Sequence, residues 1–357
     1  MSGEISIKLT GTPKEKPKDE NQLGFGTIFT DHMFVMEYEV GKGWHSARIE
    51  PYGPFSLDPS TMVLHYGQEI FEGMKAYRTV DGKVKIFRPR DYLTRMNRSA
   101  DGVCIPHIDT EFVLKALKKL VAIEKDWVPS KEGTSLYIRP FIVATDPYIG
   151  VRPSHTYKFF IILSPVGAYY PEGFKPVKIW VETKYVRAVK GGLGFAKTGA
   201  NYAASLKAAE EAKENGYTQV LWLDGIEKKY IEEVGTMNIA FIIDNKLVTP
   251  ELGGSILGGM TRDSVIRLAE DWGLEVIERP ITIEELYEDN NKGNLQEIFG
   301  TGTAAVISPV SSLNWAGNII TINNGETGDI SVKLYDEITG IQYGKISDKF
   351  NWMEEVE

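Results

Sequence analysis

The sequence predicts a mixed α/β fold, of the α+β kind, built as two domains. The chain has 357 residues, which is more than one ordinary hydrophobic core accommodates. Hydrophobic residues make up 42% of it and charged residues 25%, the balance of a globular protein. Strand-turn-strand patterns outnumber strand-helix-strand patterns, which favours a mixed fold over a doubly wound parallel sheet.

The first domain is expected to span residues 23–167. Residues 1–22 precede it as a flexible lead-in, because a segment rich in Pro, Lys, Asp and Glu buries little apolar surface. The clearest hairpin joins MKAYR to KVKIF through Asp81-Gly82, a pair that suits a tight turn. Helices are predicted at 91–100 and 110–125, and strands at 135–144 and 158–166.

The second domain is expected to span residues 177–357, after an interdomain loop at 168–176 that collects two prolines and a glycine. An Ala-rich helix is predicted to end at Gly216 and an amphipathic helix to end at Gly273. Their ranges are 200–215 and 262–272. Strands are predicted at 177–182, 219–224, 230–243 and 246–249, and a helix with a tail at 327–357.

Composition excludes several classes of function. The net charge of −9 argues against a binder of nucleic acid or anionic membranes. The sequence has no run of 18 apolar residues and no apolar signal segment near its start, so no membrane span and no secretion are expected. The single cysteine, Cys104, indicates a reducing compartment. No two histidines lie three or four residues apart, so no metal site is expected. These features predict a cytoplasmic enzyme.

The stretch GGLGFAKTGANY, residues 191–202, places Lys197 among small residues. It nearly spells the P-loop pattern of an NTPase, but Ala196 stands where the second glycine belongs and no predicted strand directly precedes it. A solvated surface lysine is the simplest alternative. In a third interpretation the lysine is partly buried, and its neutral amine is a nucleophile suited to Schiff-base chemistry. The residues alone leave these interpretations open.

Two further glycine-rich turns suggest a site for an anion. GGSILGGMTRDS, residues 253–264, places Met260 and Thr261 at the start of a helix, where N–H groups and the positive dipole end favour negative charge. A flexible loop before a capped helix is the alternative interpretation. FGTGTAA, residues 299–305, is a second turn with backbone donors, at the end of a strand. Together with a lysine, these turns suggest a phosphorylated cofactor.

Eight stretches of the sequence occur in an order typical of one family. They are LHYGQEIFEGMKAY (64–77), FRPRDYLTRMNRSA (87–100), LYIRP (136–140), SPVGAYYPEG (164–173), KTGANY (197–202), EVGTMN (233–238), LGGMTRDS (257–264) and FGTGTA (299–304). With them the chain closely resembles the branched-chain aminotransferases, which are fold-type IV enzymes dependent on pyridoxal 5′-phosphate. The resemblance covers about 240 residues. It implies a two-domain enzyme with its active site in the interdomain cleft.

The resemblance implies a covalent role for Lys197. Its amine would hold pyridoxal 5′-phosphate and, once displaced by an amino acid, would move the proton from Cα to C4′ of the cofactor. Glu233 would contact the pyridine nitrogen and keep it protonated, which makes the ring an electron sink. Tyr202 would hydrogen-bond the O3′ atom. Without the resemblance, Glu233 would be a strand-surface glutamate and Tyr202 a core tyrosine.

The family also implies how the phosphate is bound. Arg95 would pair with it, although by itself Arg95 could be an exposed helix arginine. The N–H groups of Met260 and Thr261, together with Thr303, would complete the phosphate cup. Thr236 would contact the cofactor as well.

The same resemblance implies a site that accepts both branched aliphatic side chains and that of glutamate. Arg139 would receive the distal carboxylate of glutamate or 2-oxoglutarate, and the turn amides of Thr303 and Ala304, near Thr236, would meet the α-carboxylate. An apolar wall would come from Phe71, Tyr137 and Tyr169. Tyr66 would add a polar group at the rim and, because the family completes the wall across a dimer interface, serve the neighbouring subunit of a homodimer.

Other functions stay open at this stage. A D-amino-acid aminotransferase or an aminodeoxychorismate lyase uses lysine and glutamate similarly, but both are usually shorter and lack the GQEIFEGMKAY and LYIRP context. An NTPase or a non-catalytic binding protein would not depend on Lys197 for catalysis. Some family members carry a C-x-x-C pair where this chain has Ala305-Val306-Ile307-Ser308, so thiol regulation is not expected here. Cys104 is expected to be a buried or idle thiol.

Overall fold

The computed structural model describes residues 4–167 and 174–356, and these form two compact units. The N-terminal unit comprises residues 4–167, 196–199 and 340–356, and the C-terminal unit comprises 174–195 and 200–339. This division differs from the predicted domains, because the Lys197 segment and the C-terminal tail belong to the N-terminal unit. Most of the expected interdomain loop, residues 168–173 with Tyr169, lies outside the described residues.

The described helices and strands give a mixed α+β fold, as predicted. The helices are α1 (Met62–Tyr66), α2 (Pro89–Gly102), α3 (Thr110–Ile123), α4 (Gly199–Glu214), α5 (Met260–Asp271), α6 (Ile283–Lys292) and α7 (Asp329–Gln342). The strands are β1 (Ser6–Ile7), β2 (His32–Glu39), β3 (Gly43–Pro51), β4 (Glu69–Phe71), β5 (Met74–Arg78), β6 (Val84–Phe87), β7 (Ser135–Ala144), β8 (Thr156–Val166), β9 (Val177–Glu182), β10 (Gln219–Leu223), β11 (Ile231–Val234), β12 (Asn238–Ile243), β13 (Lys246–Thr249), β14 (Val276–Glu278), β15 (Leu295–Gly302), β16 (Val306–Trp315), β17 (Asn318–Thr321) and β18 (Met353–Glu355).

The N-terminal unit is built on one sheet with the order β1-β3-β2-β8-β7-β5-β6-β18, and β4 also pairs with β7. All neighbours are antiparallel except β1 and β3. Side chains alternate along β7, so Ile138 and Ile142 are buried while Tyr137, Arg139 and Phe141 are partly exposed on the other face. Phe71 pairs with Phe141 and therefore shares that face. The strand register thus gathers these side chains on one surface.

Residues near the N-terminus are bound to this sheet, where a flexible lead-in was expected. Ser6 and Ile7 pair with β3, and the backbone N–H of Thr10 donates to Nε2 of the buried His32 at 2.8 Å. The backbone N–H of Lys14 donates to Asp31 at 2.8 Å. This segment buries little apolar surface, but hydrogen bonds to polar side chains distant in the sequence hold it in place. Amino-acid composition does not predict such hydrogen bonds.

The C-terminal unit is built on a second, mixed sheet with the order β11-β10-β9-β16-β15-β12-β13-β14, and β17 pairs with β16. The predicted strand 230–243 is divided into β11 and β12, because Gly235 turns the chain with a φ of 57°. The predicted turn at Asp244-Asn245 is confirmed, with both residues at positive φ. The core of the sheet includes the fully buried Ile179, Leu221, Phe241 and Leu286.

The predicted helix in the C-terminal stretch is α7, but the tail after it is partly a strand. β18 pairs with β6 in the N-terminal unit, and Trp352 lies edge-on to Phe87 with ring centroids 5.7 Å apart. Cys104 is exposed rather than buried. None of the described helices combines the length and hydropathy that a transmembrane segment requires.

Candidate active site

The backbone around Lys197 is fixed by side chains and strands of the N-terminal unit. The N–H of Lys197 donates to Ser99 Oγ on α2 at 2.9 Å, and its carbonyl accepts from the N–H of Phe71 at 3.0 Å. The hydroxyl of Thr198 donates to the carbonyl of Glu69 at 2.8 Å, and the N–H of Gly199 donates to the Glu69 carboxylate. The segment is therefore anchored at three successive residues. This is not P-loop geometry, because β9 ends at Glu182, well before Lys197.

The amine of Lys197 lies beside an aromatic and cationic surface. Its Nζ is 4.9 Å from the centroid of the Phe71 ring. The guanidinium carbon of Arg139 is 4.7 Å from the same ring centroid and 5.3 Å from that of Tyr137. Arg139 also donates from Nη2 to the Tyr137 hydroxyl at 3.1 Å. The N-terminal unit thus brings together four of the predicted site residues.

Two charges on this surface were not anticipated from the sequence. Burial raises the pKa of Glu69, although hydrogen bonds from Gly199 and Thr198 and the charge of Arg139 act in the opposite direction. Burial lowers the pKa of Lys75 to about 8, and this residue pairs with Tyr137 across the sheet. Both residues fall within the motif GQEIFEGMK, but only the strand register shows that they share a face with Arg139.

Arg95 is buried on α2, the helix whose Ser99 accepts a hydrogen bond from the backbone N–H of Lys197. It precedes Ser99 by four residues on α2, so the two side chains lie on one helix face. Its guanidinium donates to both carboxylate oxygens of the fully buried Glu72, at 2.8 Å from Nε and 2.7 Å from Nη2. Arg95 is therefore not an exposed helix arginine. Glu72 was missed because its partner lies twenty-three residues away and no local period links them.

Glu233 is buried in β11 of the C-terminal unit within a set of donors. Its Oε2 lies 2.8 Å from Nη2 of the buried Arg187. Its Oε1 accepts from Asn238 Nδ2 and from the backbone N–H of Leu257, both at 3.1 Å. These contacts compensate for the loss of water around the carboxylate. Glu233 is thus no surface glutamate, and Arg187 and Asn238 are site residues that the sequence analysis missed.

The first turn of α5 is tied to Glu233 through Asn238. Asn238 also donates to the carbonyl of Leu257 at 2.8 Å, just before Met260 and Thr261 begin the helix. A side chain at Gly259 would overlap the amide oxygen of Asn238, so only glycine fits between them. The helix start and the buried carboxylate therefore form one hydrogen-bonded assembly.

The turn between β15 and β16 lies next to the turn that follows β11. Side chains at Gly300 or Gly302 would overlap the Met237 side chain, so glycine at both positions leaves room for Met237. Thr303 and Ala304 occupy the first turn, and Thr236 is exposed in the second. Val306, which ends the first turn, has a φ of 64°, a strained value for a β-branched residue.

The remaining predicted residues occupy separate elements. Tyr202 is half-buried near the start of α4 in the C-terminal unit, where the neighbouring Asn201 side chain donates to the carbonyl of Leu193 at 2.8 Å. Tyr66 ends α1 in the N-terminal unit and is 39% exposed. In the part of the chain that the structure describes, no cluster of His, Cys, Asp and Glu side chains is arranged to hold a metal ion.

Comparison with known proteins places these residues in one family. Residues 69–313 match the model of the family described as amino-transferase class IV. The chain is 62% identical to Branched-chain-amino-acid aminotransferase 2 of Bacillus subtilis (strain 168), over 99% of this chain and 97% of that protein. It is 58% identical to Branched-chain-amino-acid transaminase 1 of the same strain, over the full length of both.

Solved structures give the same assignment. The branched-chain amino acid aminotransferase of Escherichia coli matches with a TM-score of 0.77 and 28% identity, over 91% of this chain and 99% of that one. The branched-chain amino acid aminotransferase of Thermobaculum terrenum, solved in its PLP form, matches with a TM-score of 0.73 and 26% identity, over 91% and 98%. The fold and the sequence therefore point to one group of proteins.

Proposed function

Because the chain belongs to the class IV aminotransferases, we propose that it is a branched-chain amino acid aminotransferase. It transfers the amino group reversibly between L-leucine, L-isoleucine or L-valine and 2-oxoglutarate, giving branched 2-oxo acids and L-glutamate. The observation that carries the proposal is the anchored Lys197 beside Phe71 and Arg139, since an amine, an apolar ring and a cation are what this pair of substrates requires.

The described residues suit pyridoxal 5′-phosphate as the cofactor. They supply a lysine on a fixed backbone, a buried guanidinium at Arg95 and a buried carboxylate at Glu233. The backbone N–H groups of Met260 and Thr261 lie at the N-terminus of α5, where the helix dipole favours a phosphate. When bound, this cofactor withdraws electrons from the substrate Cα, which makes its proton acidic. We assign cofactor contacts to Arg95, Lys197, Tyr202, Glu233, Thr236, Met260, Thr261 and Thr303.

Lys197 is the group that moves the proton. Its Nζ removes the proton from the substrate Cα in one direction and restores it in the other. The hydrogen bonds on either side of Lys197 hold its backbone in place, so only the side chain has to move. Phe71, whose ring lies 4.9 Å from Nζ, limits the water that reaches the amine.

Glu233 is assigned to the pyridine nitrogen and must stay ionised to hold a proton there. Arg187 and the two N–H donors on its carboxylate favour the ionised form. A neutral side chain at this position would not stabilise a protonated ring. Arg187 and Asn238 are positioning residues for Glu233.

Substrate selection is assigned to the surface around Arg139. Phe71 and Tyr137 offer apolar contact to a branched side chain, and Tyr169 is proposed to extend this wall. The Nε atom of Arg139 is buried and has no hydrogen-bond partner among the described residues, so a donor is available for the distal carboxylate of glutamate. The α-carboxylate is assigned to the turn of Thr303 and Ala304, with Thr236 beside it.

A homodimer is part of the proposal. The N-terminal unit exposes a set of large apolar side chains, which we call the apolar rim: Leu64, Tyr66, Tyr148, Ile149 and Val151. The two segments of the rim are joined, because Thr61 bridges Pro147 and the N–H of Met62 donates to the carbonyl of Asp146 at 3.0 Å. Contiguous exposed apolar surface of this kind marks a protein interface. A second copy would cover the rim and receive Tyr66 near its own site.

A cytoplasmic location is proposed from the single cysteine and the acidic composition.

The visible absorption spectrum of the purified protein tests the function directly. We expect a cofactor band that converts on addition of L-leucine and returns with 2-oxoglutarate. A band that ignores leucine but responds to D-alanine would identify a D-amino-acid aminotransferase instead. No band after incubation with pyridoxal 5′-phosphate would contradict the whole assignment.

The Lys197→Ala variant tests the assigned base. Transamination of leucine is expected to fall to the background rate, because the variant removes the amine beside Phe71. The matched control is Lys207→Ala, which removes an exposed lysine from α4 and should leave turnover unchanged. Steady turnover by the Lys197 variant would refute the mechanism.

A further inference from the structure

A cavity of about 230 Å³ opens in the C-terminal unit behind β11. This volume is below that of sites for drug-sized ligands, so it suits a small molecule. The cavity combines a buried carboxylate, a hydroxyl, a lysine at its rim and apolar walls, and its main lining residues are Glu232, Ser255, Lys190, Ile231, Pro250 and Ile256.

Glu232 lines this cavity, and one of its carboxylate oxygens is an unfilled acceptor. The side chain is 7% exposed, and one carboxylate oxygen accepts a hydrogen bond from the Ser255 hydroxyl. The other oxygen, Oε2, is buried and has no hydrogen-bond partner among the described residues. Burial raises the pKa of Glu232, although Ser255 and the charges of Arg187 and Lys190 act in the opposite direction. A buried carboxylate oxygen without a donor is rare, and it points to a ligand that supplies one.

The other carboxylates lining the cavity do not offer the same feature. Both oxygens of Asp224 are occupied by backbone N–H groups of the following turn, at 2.7–3.0 Å. Glu227 and Glu251 are exposed, so water satisfies their carboxylates. Glu232 is therefore the group that would select a ligand.

We propose that this cavity binds a small molecule with an apolar body and a primary ammonium group, which donates to Glu232 Oε2. An ammonium supplies both the hydrogen bond and the opposite charge that the buried carboxylate requires. Pro250 and Ile256 contact the apolar body. Lys190 at the rim accommodates a carboxylate, so an aliphatic amino acid matches both Glu232 and Lys190.

The cavity is connected to the carboxylate assigned to the cofactor, and this consequence rests on the proposed function. Glu232 and Glu233 are neighbours on β11 and point to opposite faces. Arg187 binds Glu233 at 2.8 Å and also donates to the carbonyl of Ser255 at 2.7 Å, while the Ser255 hydroxyl binds Glu232. A ligand on Glu232 therefore perturbs Glu233 through Ser255 and Arg187.

Binding of tert-butylammonium to the holoenzyme tests the site. Its nitrogen-bearing carbon has no hydrogen, so the compound cannot be transaminated. Saturation-transfer NMR of its single methyl resonance gives the dissociation constant. We expect Glu232→Gln to raise that constant about tenfold or more, because it removes the charge that holds the ammonium. Glu227→Gln, with the same loss of charge at the rim, should change it less than about twofold. Neutral tert-butanol should not bind.

A second probe tests the role of Lys190. The amino acid 2-aminoisobutyrate adds a carboxylate to a similar apolar body and also lacks a Cα hydrogen. We expect it to bind more tightly than tert-butylammonium, and Lys190→Met to abolish that difference without weakening tert-butylammonium. If Lys190→Met left the difference in affinity between the two compounds unchanged, Lys190 would not be the group that binds the carboxylate.

Three results would overturn the proposal itself: no binding of tert-butylammonium, equal binding by Glu232→Gln, or equal binding of tert-butanol. If the Glu232 variant does not fold, a crystal structure of the wild-type holoenzyme with tert-butylammonium decides, since the ammonium must lie on Glu232. A change in cofactor absorption on adding tert-butylammonium, absent in the Glu232 variant, would support the coupling, and no change would refute it. Leucine turnover is measured separately, so a failure of this site is distinguishable from a failure of the proposed function.

Discussion

The surroundings of Arg139 fit its proposed role with two unlike substrates. The guanidinium carbon lies 4.7 Å from the Phe71 ring centroid and 5.3 Å from that of Tyr137, so an aliphatic side chain meets aromatic carbon rather than an isolated charge. The same group keeps an unfilled donor at Nε for a carboxylate. Glu69 adds a nearby negative charge that moderates the cation. In the proposed function, a branched side chain contacts the aromatic rings beside Arg139, whereas the carboxylate of glutamate contacts its Nε donor.

Arg139→Ala should therefore impair glutamate and 2-oxoglutarate more than leucine. A lost charge-assisted hydrogen bond corresponds to about a tenfold or greater increase in KM for 2-oxoglutarate, whereas leucine loses only apolar contact. Separate half-reactions with leucine and with glutamate measure the two effects in one preparation. Equal losses for both substrates would show that Arg139 does not recognise the distal carboxylate.

Asp224 gives a prediction about pH at the same scale. Burial raises its pKa, but four backbone hydrogen bonds outweigh burial and lower the pKa to about 2. Because the pKa is lowered, the ionised carboxylate stabilises the folded state at pH values above the ordinary aspartate pKa near 3.8. That stabilisation is lost as the pH falls towards 2. Asp224→Asn should lower the free energy of unfolding by about 1 kcal/mol at pH 7, less than the full pKa shift implies, because water screens this partly exposed carboxylate.

Urea denaturation at pH 7 and at successively lower pH measures this contribution. The difference between the variant and the wild type should shrink between pH 4 and pH 2. Asp244→Asn, in the turn between β12 and β13, is the matched control for the loss of one carboxylate. A difference that persisted unchanged at low pH would contradict the role of the carboxylate charge.

At the level of elements, the start of α5 and strand β11 act as one assembly. Asn238 binds Glu233 with its side-chain amide and also holds the loop before the helix. Two adjacent glycines, 258 and 259, differ in their surroundings: a side chain at 259 would overlap Asn238, whereas one at 258 would lie 3.5 Å from Leu252. Alanine substitutions at positions 258 and 259 therefore form a matched pair of variants.

Gly259→Ala should displace Asn238 and weaken the binding of pyridoxal 5′-phosphate by roughly 10- to 100-fold, the cost of a hydrogen bond to a charged group. Gly258→Ala, in ordinary van der Waals contact, should bind the cofactor nearly as well as the wild type. Fluorescence titration of the apoenzyme with the cofactor measures both. Similar affinities for the two variants would argue against the assembly.

Local patterns in the sequence predicted these elements well where the pattern was strong. The amphipathic spacing of Val265, Leu268 and Ala269 gave α5, although the helix begins two residues earlier and ends one residue earlier than expected. The hairpin at Asp81-Gly82 is confirmed by β5 and β6. The break at Gly235 was missed because the apolar residues continue across the turn. The spacing of apolar residues indicates which positions are buried, and residues on both sides of a turn inside the core are buried.

At the level of the whole molecule, the apolar rim predicts a homodimer. Val151 is 87% exposed and Leu64 is 59% exposed, an unfavourable arrangement unless a second copy covers them. Val151→Glu and Leu64→Glu together should give monomers, because two buried charges face an apolar partner. Transamination should fall with the dimer, since Tyr66 lies in the same rim.

Sedimentation velocity and leucine turnover test this prediction together. Val80→Glu is the control: Val80 is 67% exposed in the turn after β5, outside the rim, and should leave both the mass and the activity unchanged. A double rim variant that stayed dimeric would show that the dimer uses another surface.

The sequence by itself determined the family resemblance of this protein and the candidate residues for its chemistry. The lysine in KTGANY, the glutamate in EVGTMN and the glycine-bearing turns are encoded by adjacent residues, because reactive groups and backbone turns have local requirements. Only the tertiary structure decided which unit holds Lys197, that Glu72 accompanies Arg95, and that Arg187 and Asn238 surround Glu233. It also placed the N-terminal residues and β18 on the first sheet. These partnerships join residues far apart in the chain, and the need to satisfy buried charges and hydrogen bonds leaves no periodic trace in the sequence.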